Sequence, residues 1–457
     1  MKKVFIIWLF CLSIAGFSQQ KEYEKGKIID TVLVDKNTGE SFSLYLPNIY
    51  DSAKLSPLVF IFEPMARGKA GIFPFIKASE EYGYILICSN DSKNGPYSKN
   101  YEIANRLFNK VFSTFNIDEK RIYTSGFSGG ARLASSIAIL TNQIQGVIAC
   151  GAGFESKDGI VATRQNFSYA AIVGDRDMNY QEMINTKSFL NKFKVSNELF
   201  IFDIKHQWPT QDQVLKAFDW LQLEAFKKNI LPTNDDQIKK IYTTFYSSAK
   251  QYQMKGEMVL FNGEYQRIIR NFRRYYNLDS IKDSMDKLSK NKLFKTEKKL
   301  LESSFEKENT MTKMFIDQFS TDFDRSKLNQ KWWRSKIAKL HKELDNANPT
   351  EKKMLSRLLY KVFAHAIETA SIGNRVQNTN QSIICYEICI MIYPKYPLPY
   401  FKQIENYVYL HDEETALNYL EKLIETGYTD INTINKNDAL NSLKGNDKYT
   451  GLINKIK

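Results

Sequence analysis

The sequence predicts an α/β sheet covered by helices, followed by an all-α region. Three observations carry this. Before residue 230, eight short apolar runs alternate with helical stretches: Lys27 to Val34, Phe42 to Leu46, Leu58 to Phe62, Ile85 to Ser89, Ile122 to Thr124, Gly146 to Ala149, Ala170 to Val173 and Leu199 to Phe202. Such alternation builds a mostly parallel sheet under helices. A Gly-rich turn, Gly126-Phe-Ser-Gly-Gly130, stands between the fifth run and a stretch of helix formers from Ala131 to Leu140. Beyond Ile230-Leu-Pro-Thr-Asn-Asp-Asp236 few β-like runs remain and patterns of period 3.6 dominate.

The elements follow in chain order. Met1-Lys-Lys, a short apolar core from Val4 to Ala15 and Gly16-Phe-Ser-Gln-Gln20 have the form of an export signal, with cleavage expected after Ser18. The core is shorter than the roughly 20 residues of a spanning helix, and no later segment is apolar enough to span. Cys11 follows bulky Phe10 and lies too early for lipid attachment. The expected location is the periplasm or the exterior. The chain should then divide into residues 19–229, a linker at 230–236 and a helical domain at 237–457, consistent with the two or more domains that 457 residues allow. Helical patterns run over Ile238 to Val259, Asp279 to Leu293, Phe294 to Phe305 and Lys352 to Ile372. Three more follow at Gln381 to Ile392, Pro399 to His411 and Asp412 to Glu425.

The turn at Ser128 carries the clearest chemistry. A serine hydroxyl is a weak nucleophile, and a sharp strand-to-helix turn lifts it toward substrate and base. Glycines must flank it because a Cβ there would clash. The helix that follows aims its N-terminal N–H groups at a developing oxyanion. A base and an acid are sought downstream. Of the four histidines, His206 follows a β-like run in a loop, as a base would. His341 reads as a solvated helix residue, His365 as a helix-core or boundary residue and His411 as a turn residue. The acid should follow the strand Tyr169 to Gly174, where Asp175 and Asp177 both qualify. Asp177 is favoured because a residue further into the loop reaches the next strand's loop more easily. Asp175 would then cap the turn or pair with Arg176.

With these residues in view, positions 27 to about 225 resemble an α/β-hydrolase, similar to the secreted esterase and polyhydroxybutyrate-depolymerase-like group. The matching stretches are Phe115 to Gly130, Gly174-Asp-Arg-Asp177 and His206-Gln-Trp-Pro209. The resemblance implies Ser128 as nucleophile, Asp177 as acid and His206 as base. It implies a serine esterase forming an acyl-enzyme, with no cofactor. Members often carry His-Gly after the third strand to complete the oxyanion hole, whereas Glu63-Pro-Met-Ala-Arg-Gly68 stands here. Pro64 has no N–H, so Met65 and Gly129 are the expected backbone donors, with the Glu63 carboxylate pointing away. Asn94, in the turn-rich loop Ser89 to Pro96, and Trp208 are candidate substrate contacts. Because Ser128, Asp177 and His206 precede Ile230, residues 19–228 are expected to hydrolyse a small ester alone.

Residues 380–457 resemble the closing end of a tetratricopeptide array, which implies a binding role for the helical domain. The expected partners are an ester substrate, free or polymer-linked, and a protein on the helical surface. The net charge of +13 is spread without a basic stripe and stacking aromatics, so nucleic acid is not expected. Cys88 and Cys150 end apolar runs, and Cys385 and Cys389 share a helix face among isoleucines. All four read as core residues rather than metal ligands. The alternatives are a degenerate hydrolase scaffold serving a helical binding protein, and a serine peptidase.

Overall fold

The computed structural model describes residues 23–154, 166–375 and 379–456, so the expected export signal lies outside them. Eight strands form one sheet: β1 (Ile28–Leu33), β2 (Ser41–Tyr45), β3 (Ser56–Phe62), β4 (Ile85–Ser89), β5 (Ile117–Phe127), β6 (Gly146–Cys150), β7 (Ser168–Gly174) and β8 (Asn197–Phe202). Their order is β1-β2-β4-β3-β5-β6-β7-β8. β1 and β2 are antiparallel, as are β2 and β4, whereas β4, β3, β5, β6 and β7 run parallel. The sheet is thus mostly parallel, as the alternation of apolar runs and helical stretches implies. The central strands β3, β4, β6 and β7 are buried throughout, which is why they read as continuous apolar runs rather than alternating ones.

The connecting helices are α1 (Gly68–Ile72), α2 (Ile76–Tyr82), α3 (Tyr97–Thr114), α4 (Gly129–Thr141), α5 (Tyr180–Lys192) and α6 (Gln211–Lys227). α6 opens on a capping box in which Thr210 and Gln213 satisfy each other's backbone N–H groups. After residues 228–234 the described chain is helical: α7 (Asp235–Lys255), α8 (Met258–Phe272), α9 (Asp279–Lys290), α10 (Lys292–Asp324), α11 (Gln330–Asn346), α12 (Pro349–Arg375), α13 (Thr379–Ile392), α14 (Leu398–Tyr409) and α15 (Glu413–Glu425). Three short helices close it: α16 (Ile431–Asn435), α17 (Asp438–Ser442) and α18 (Asp447–Asn454). The single helix expected from Ile238 to Val259 is two. Gly256 takes φ +74°, a left-handed C-cap that ends α7. The expected boundary at Leu293/Phe294 falls instead at Asn291, whose side chain accepts from the N–H groups of Leu293 and Phe294 and starts α10.

Two compact units emerge. The first holds the described residues up to Ile172 together with Lys187–Glu198 and Trp208–Thr233. Its core is the apolar surface of the sheet, with Phe60, Ile87 and Val147 fully buried and α4 packed on β5 and β6. The second holds Val173–Thr186, Leu199–Gln207 and the helical region from Asn234. Two apolar clusters are described in it. One gathers Phe315, Trp333, Leu358, Ile388 and Cys389, and the other gathers Ile404, Leu417, Leu420 and Leu440. Trp333 is fully buried and donates its indole N–H to Asp322 at 2.8 Å, so it is a packing residue. All four described cysteines are free and buried.

Candidate functional site

In the first unit β5 turns into α4 at Ser128, which takes φ 52° and ψ −122°. A non-glycine residue there is strained, and neighbours must hold it in place. Its N–H donates to the Cys150 carbonyl at 2.9 Å. Both glycines of the motif are fixed by space. A Cβ on Gly126 would lie 2.3 Å from the Gly130 carbonyl, and one on Gly130 would lie 2.0 Å from the Phe62 carbonyl oxygen. The turn therefore forms for the steric reason that its sequence suggests.

The loop after β3 corrects one expectation. Glu63 is fully buried and its carboxylate turns into its own loop. Oε2 accepts from the N–H of Met65 at 2.8 Å and of Arg67 at 3.0 Å, and Oε1 accepts from the Arg67 guanidinium at 2.5 Å. The Ala66 N–H donates to the Glu63 carbonyl at 3.0 Å. The Met65 N–H expected to face an oxyanion is thus already bonded to an anion. The physical reason is that burying a carboxylate demands donors, and the nearest are the N–H groups of the same turn. The Glu63 carboxylate is taken up by its own loop, and the Met65 N–H is taken up with it.

Asn94 lies beside the motif. The Asn94 N–H donates to the Pro64 carbonyl at 2.9 Å, and Met65 bridges Lys93. A Cβ on Gly129 would meet Asn94 Oδ1 at 2.0 Å, so the exposed carboxamide covers the Gly129 backbone. Trp208 is packed between Phe75 and Phe127, with ring centroids 5.9 and 5.3 Å away. Its indole N–H is buried with no hydrogen-bond partner among the described residues.

In the second unit, the loops after β7 and β8 bring Asp177 and His206 together. His206 Nδ1 lies 2.9 Å from each carboxylate oxygen of Asp177, and the two side chains are 6% and 1% exposed. The Asp177 N–H is tied to the Gly174 carbonyl, and Asp177 Oδ1 also accepts from the Asn179 N–H at 2.8 Å. The loops are joined by Asp175 N–H to the Phe202 carbonyl and by Arg176 to Asp203, 2.9 Å apart. Asp175 neither meets His206 nor pairs with Arg176 as foreseen. Its Oδ2 accepts from Lys353 of α12 at 2.5 Å. Burial raises the Asp175 carboxyl, and the Lys353 ammonium opposes that shift.

Of the other histidines, His341 Nε2 sits 3.2 Å from the Ile392 carbonyl, so it is bonded rather than simply solvated. His365 packs edge-on against Phe319, and burial lowers its basicity. His411 is an exposed turn residue at φ 58°. Among the described residues no group of three or more His, Cys, Asp or Glu side chains is arranged to hold a metal ion.

Sequence reasoning missed a strip on α12. Arg357 donates to the Asp175 carbonyl at 2.6 Å and pairs with Glu308 of α10, both side chains being 1% exposed. The Tyr360 ring lies 5.8 Å from the His206 ring. Burial and the Asp177 charge both raise the Tyr360 phenol. Nothing local in Lys353, Arg357 or Tyr360 marks them, since a helix with spaced charges reads as a solvated face.

No family profile matches the sequence, and no curated protein matches it at the sequence level. Solved structures align with part of the chain. The S-formylglutathione hydrolase FrmB of Staphylococcus aureus is 12% identical over 44% of this chain and 98% of its own, with a TM-score of 0.34. The feruloyl esterase module of Clostridium thermocellum is 12% identical over 42% and 88%, with a TM-score of 0.37. Est1E of Butyrivibrio proteoclasticus is 13% identical over 44% and 100%, with a TM-score of 0.35. Likeness at this level leaves activity and substrate to the chain's own residues. No described helix is long and apolar enough to cross a membrane.

Proposed function

We propose that the chain is a serine hydrolase acting on carboxylic esters, with Ser128 as nucleophile, His206 as base and Asp177 as its orienting acid. The observation that carries this reading is the strained Ser128 at the first turn of α4. The Asp177–His206 pair supports it, because a carboxylate on Nδ1 favours the tautomer whose unprotonated nitrogen is Nε2, the atom that would accept a proton. In the proposed cycle Nε2 takes the Ser128 proton as Oγ attacks the ester carbonyl. The Gly129 N–H and the Asn94 carboxamide stabilise the oxyanion. Asn94 replaces Met65, and a half-turn of its amide brings Nδ2 over Gly129. The imidazolium then protonates the departing alkoxide, leaving an acyl-enzyme. Water, deprotonated by His206, attacks the acyl carbon, the acid leaves and Ser128 recovers its proton. No step calls on a cofactor.

Export after cleavage at Ser18, the folding domains 19–229 and 237–457, and a tetratricopeptide-like arrangement of 380–457 belong to the same proposal. The last is supported by the successive packing of α13 on α14 and α14 on α15. The test is labelling of the full chain by a fluorophosphonate together with hydrolysis of nitrophenyl esters. Ser128→Ala should abolish labelling and lower kcat by about 10⁶ if the three residues act as one unit. An unlabelled wild type, or label retained by Ser128→Ala, would overturn the reading. Peptide amides cleaved faster than matched esters would replace the esterase by a peptidase.

A further inference from the structure

The second unit holds more than an acid and a base. Lys353, Arg357 and Tyr360 are spaced i, i+4 and i+7, so they share one face of α12. All three meet the loops that carry Asp177 and His206. Lys353 holds the Asp175 carboxylate and Arg357 holds the Asp175 carbonyl, two residues before the acid. Tyr360 flanks the imidazole. The strip is itself anchored. Arg357 is paired with buried Glu308 of α10, to which Lys361 adds a contact at 3.6 Å. The loop is gripped again at Tyr180, whose ring meets Phe305 of α10 at 5.7 Å and lies under the Arg357 guanidinium.

We propose that this face of α12 is the positioning element of the acid–base pair, so that the helical region completes the catalytic unit. The inference rests on the reading of Asp177 and His206 given above. Lys353, Arg357 and Tyr360 act through those two residues. Orientation is what they contribute, and a misplacement of about 1 Å is worth roughly 10² in rate. Asp175 Oδ1 is buried without a hydrogen-bond partner among the described residues, so loss of Lys353 strips the compensation from a buried carboxylate at the root of the acid's loop. On this proposal the first 229 residues do not suffice for full turnover, contrary to what the order of the three residues alone implies.

The test uses the full chain with Lys353→Met, which keeps the aliphatic stem on a side chain that is 27% exposed. With folding verified by circular dichroism, kcat for a small ester should fall about 10²-fold while KM stays within about twofold, and Lys353→Arg should restore most of it. Placed on Asp177→Ala, Lys353→Met should cost nothing further, because the residue through which it acts is gone. A separate arm needs no turnover. The low-field Nδ1–H proton resonance of His206, identified by its loss in His206→Ala, should broaden or vanish in Lys353→Met. Tyr360→Leu is read in the same way should Lys353→Met not fold. Unchanged kcat with an intact resonance, or an equal loss in the Asp177→Ala background, overturns the proposal. If wild type hydrolyses nothing, the esterase reading fails and the resonance alone decides: retained in Lys353→Met, it overturns the positioning role as well.

Discussion

The turn at Ser128 and the loops holding Asp177 and His206 are built in opposite ways. The turn is local. Gly126 and Gly130 make room for each other and for Phe62, and Ser128 is forced into its strained conformation by neighbours in the sheet. The loops of Asp177 and His206 have bonds of their own but do not rely on these alone. They take further bonds from α12, whose Arg357 is itself paired with α10, through partners as much as 182 residues away. The close approach of Gly126 to Gly130 is written in a pentapeptide. A clamp made of common charged side chains is written only in the folded chain.

The largest expected effect separates the two aspartates. Asp177→Asn puts an amide against Nδ1 and favours the wrong imidazole tautomer, with a loss of up to about 10⁴ in kcat. Asp175→Asn keeps the loop's backbone bonds and weakens the contact to Lys353, so its loss should be far smaller. Steady-state kinetics on one ester decides. Equal losses would mean that the clamp matters as much as the acid, and the comparison would need redrawing. Next in size is Asn94→Ala. If its carboxamide serves the oxyanion beside the Gly129 N–H, kcat should fall by about 10²–10³ with KM nearly unchanged. A change confined to KM would make Asn94 a substrate contact and leave Gly129 the principal donor.

How much was legible follows from the same contrast. All eight strands show in the sequence, and β3, β4, β6 and β7 show most plainly because buried parallel strands are continuous apolar runs. β5, however, begins at Ile117, earlier than its apolar part at Ile122, because its exposed start, Asp118-Glu-Lys-Arg121, carries no hydrophobic signal. The sharp turn at Ser128 was legible from its glycines, and the pairing of Asp177 with His206 from chain order and reach. The engagement of Met65 by Glu63 was not, since it depends on which way one buried carboxylate turns. Lys353, Arg357 and Tyr360 were hidden for a different reason. Their partners follow β7 and β8, and no periodicity connects a helix to a loop so distant in sequence.

The smallest effect sharpens the local side of the comparison, because two glycines obey different constraints. At Gly130 the limit is space, so Gly130→Ala must push the Phe62 carbonyl away and distort the Ser128 turn. At Gly256 a Cβ would meet nothing within 4 Å, and the only limit is φ +74°. Gly256→Ala should therefore cost only the left-handed penalty of an L-residue, about 1 kcal/mol, with no loss of turnover. For a domain of 150–250 residues that corresponds to a fall of roughly 2–4 °C in Tm. A calorimetric scan of the full chain beside an activity assay would measure both. A much larger fall in Tm would mean that the α7–α8 junction is held by more than a backbone conformation. A loss of turnover would mean that strain at this junction reaches the acid–base loops through the second unit, and the clamp would then extend beyond α10 and α12.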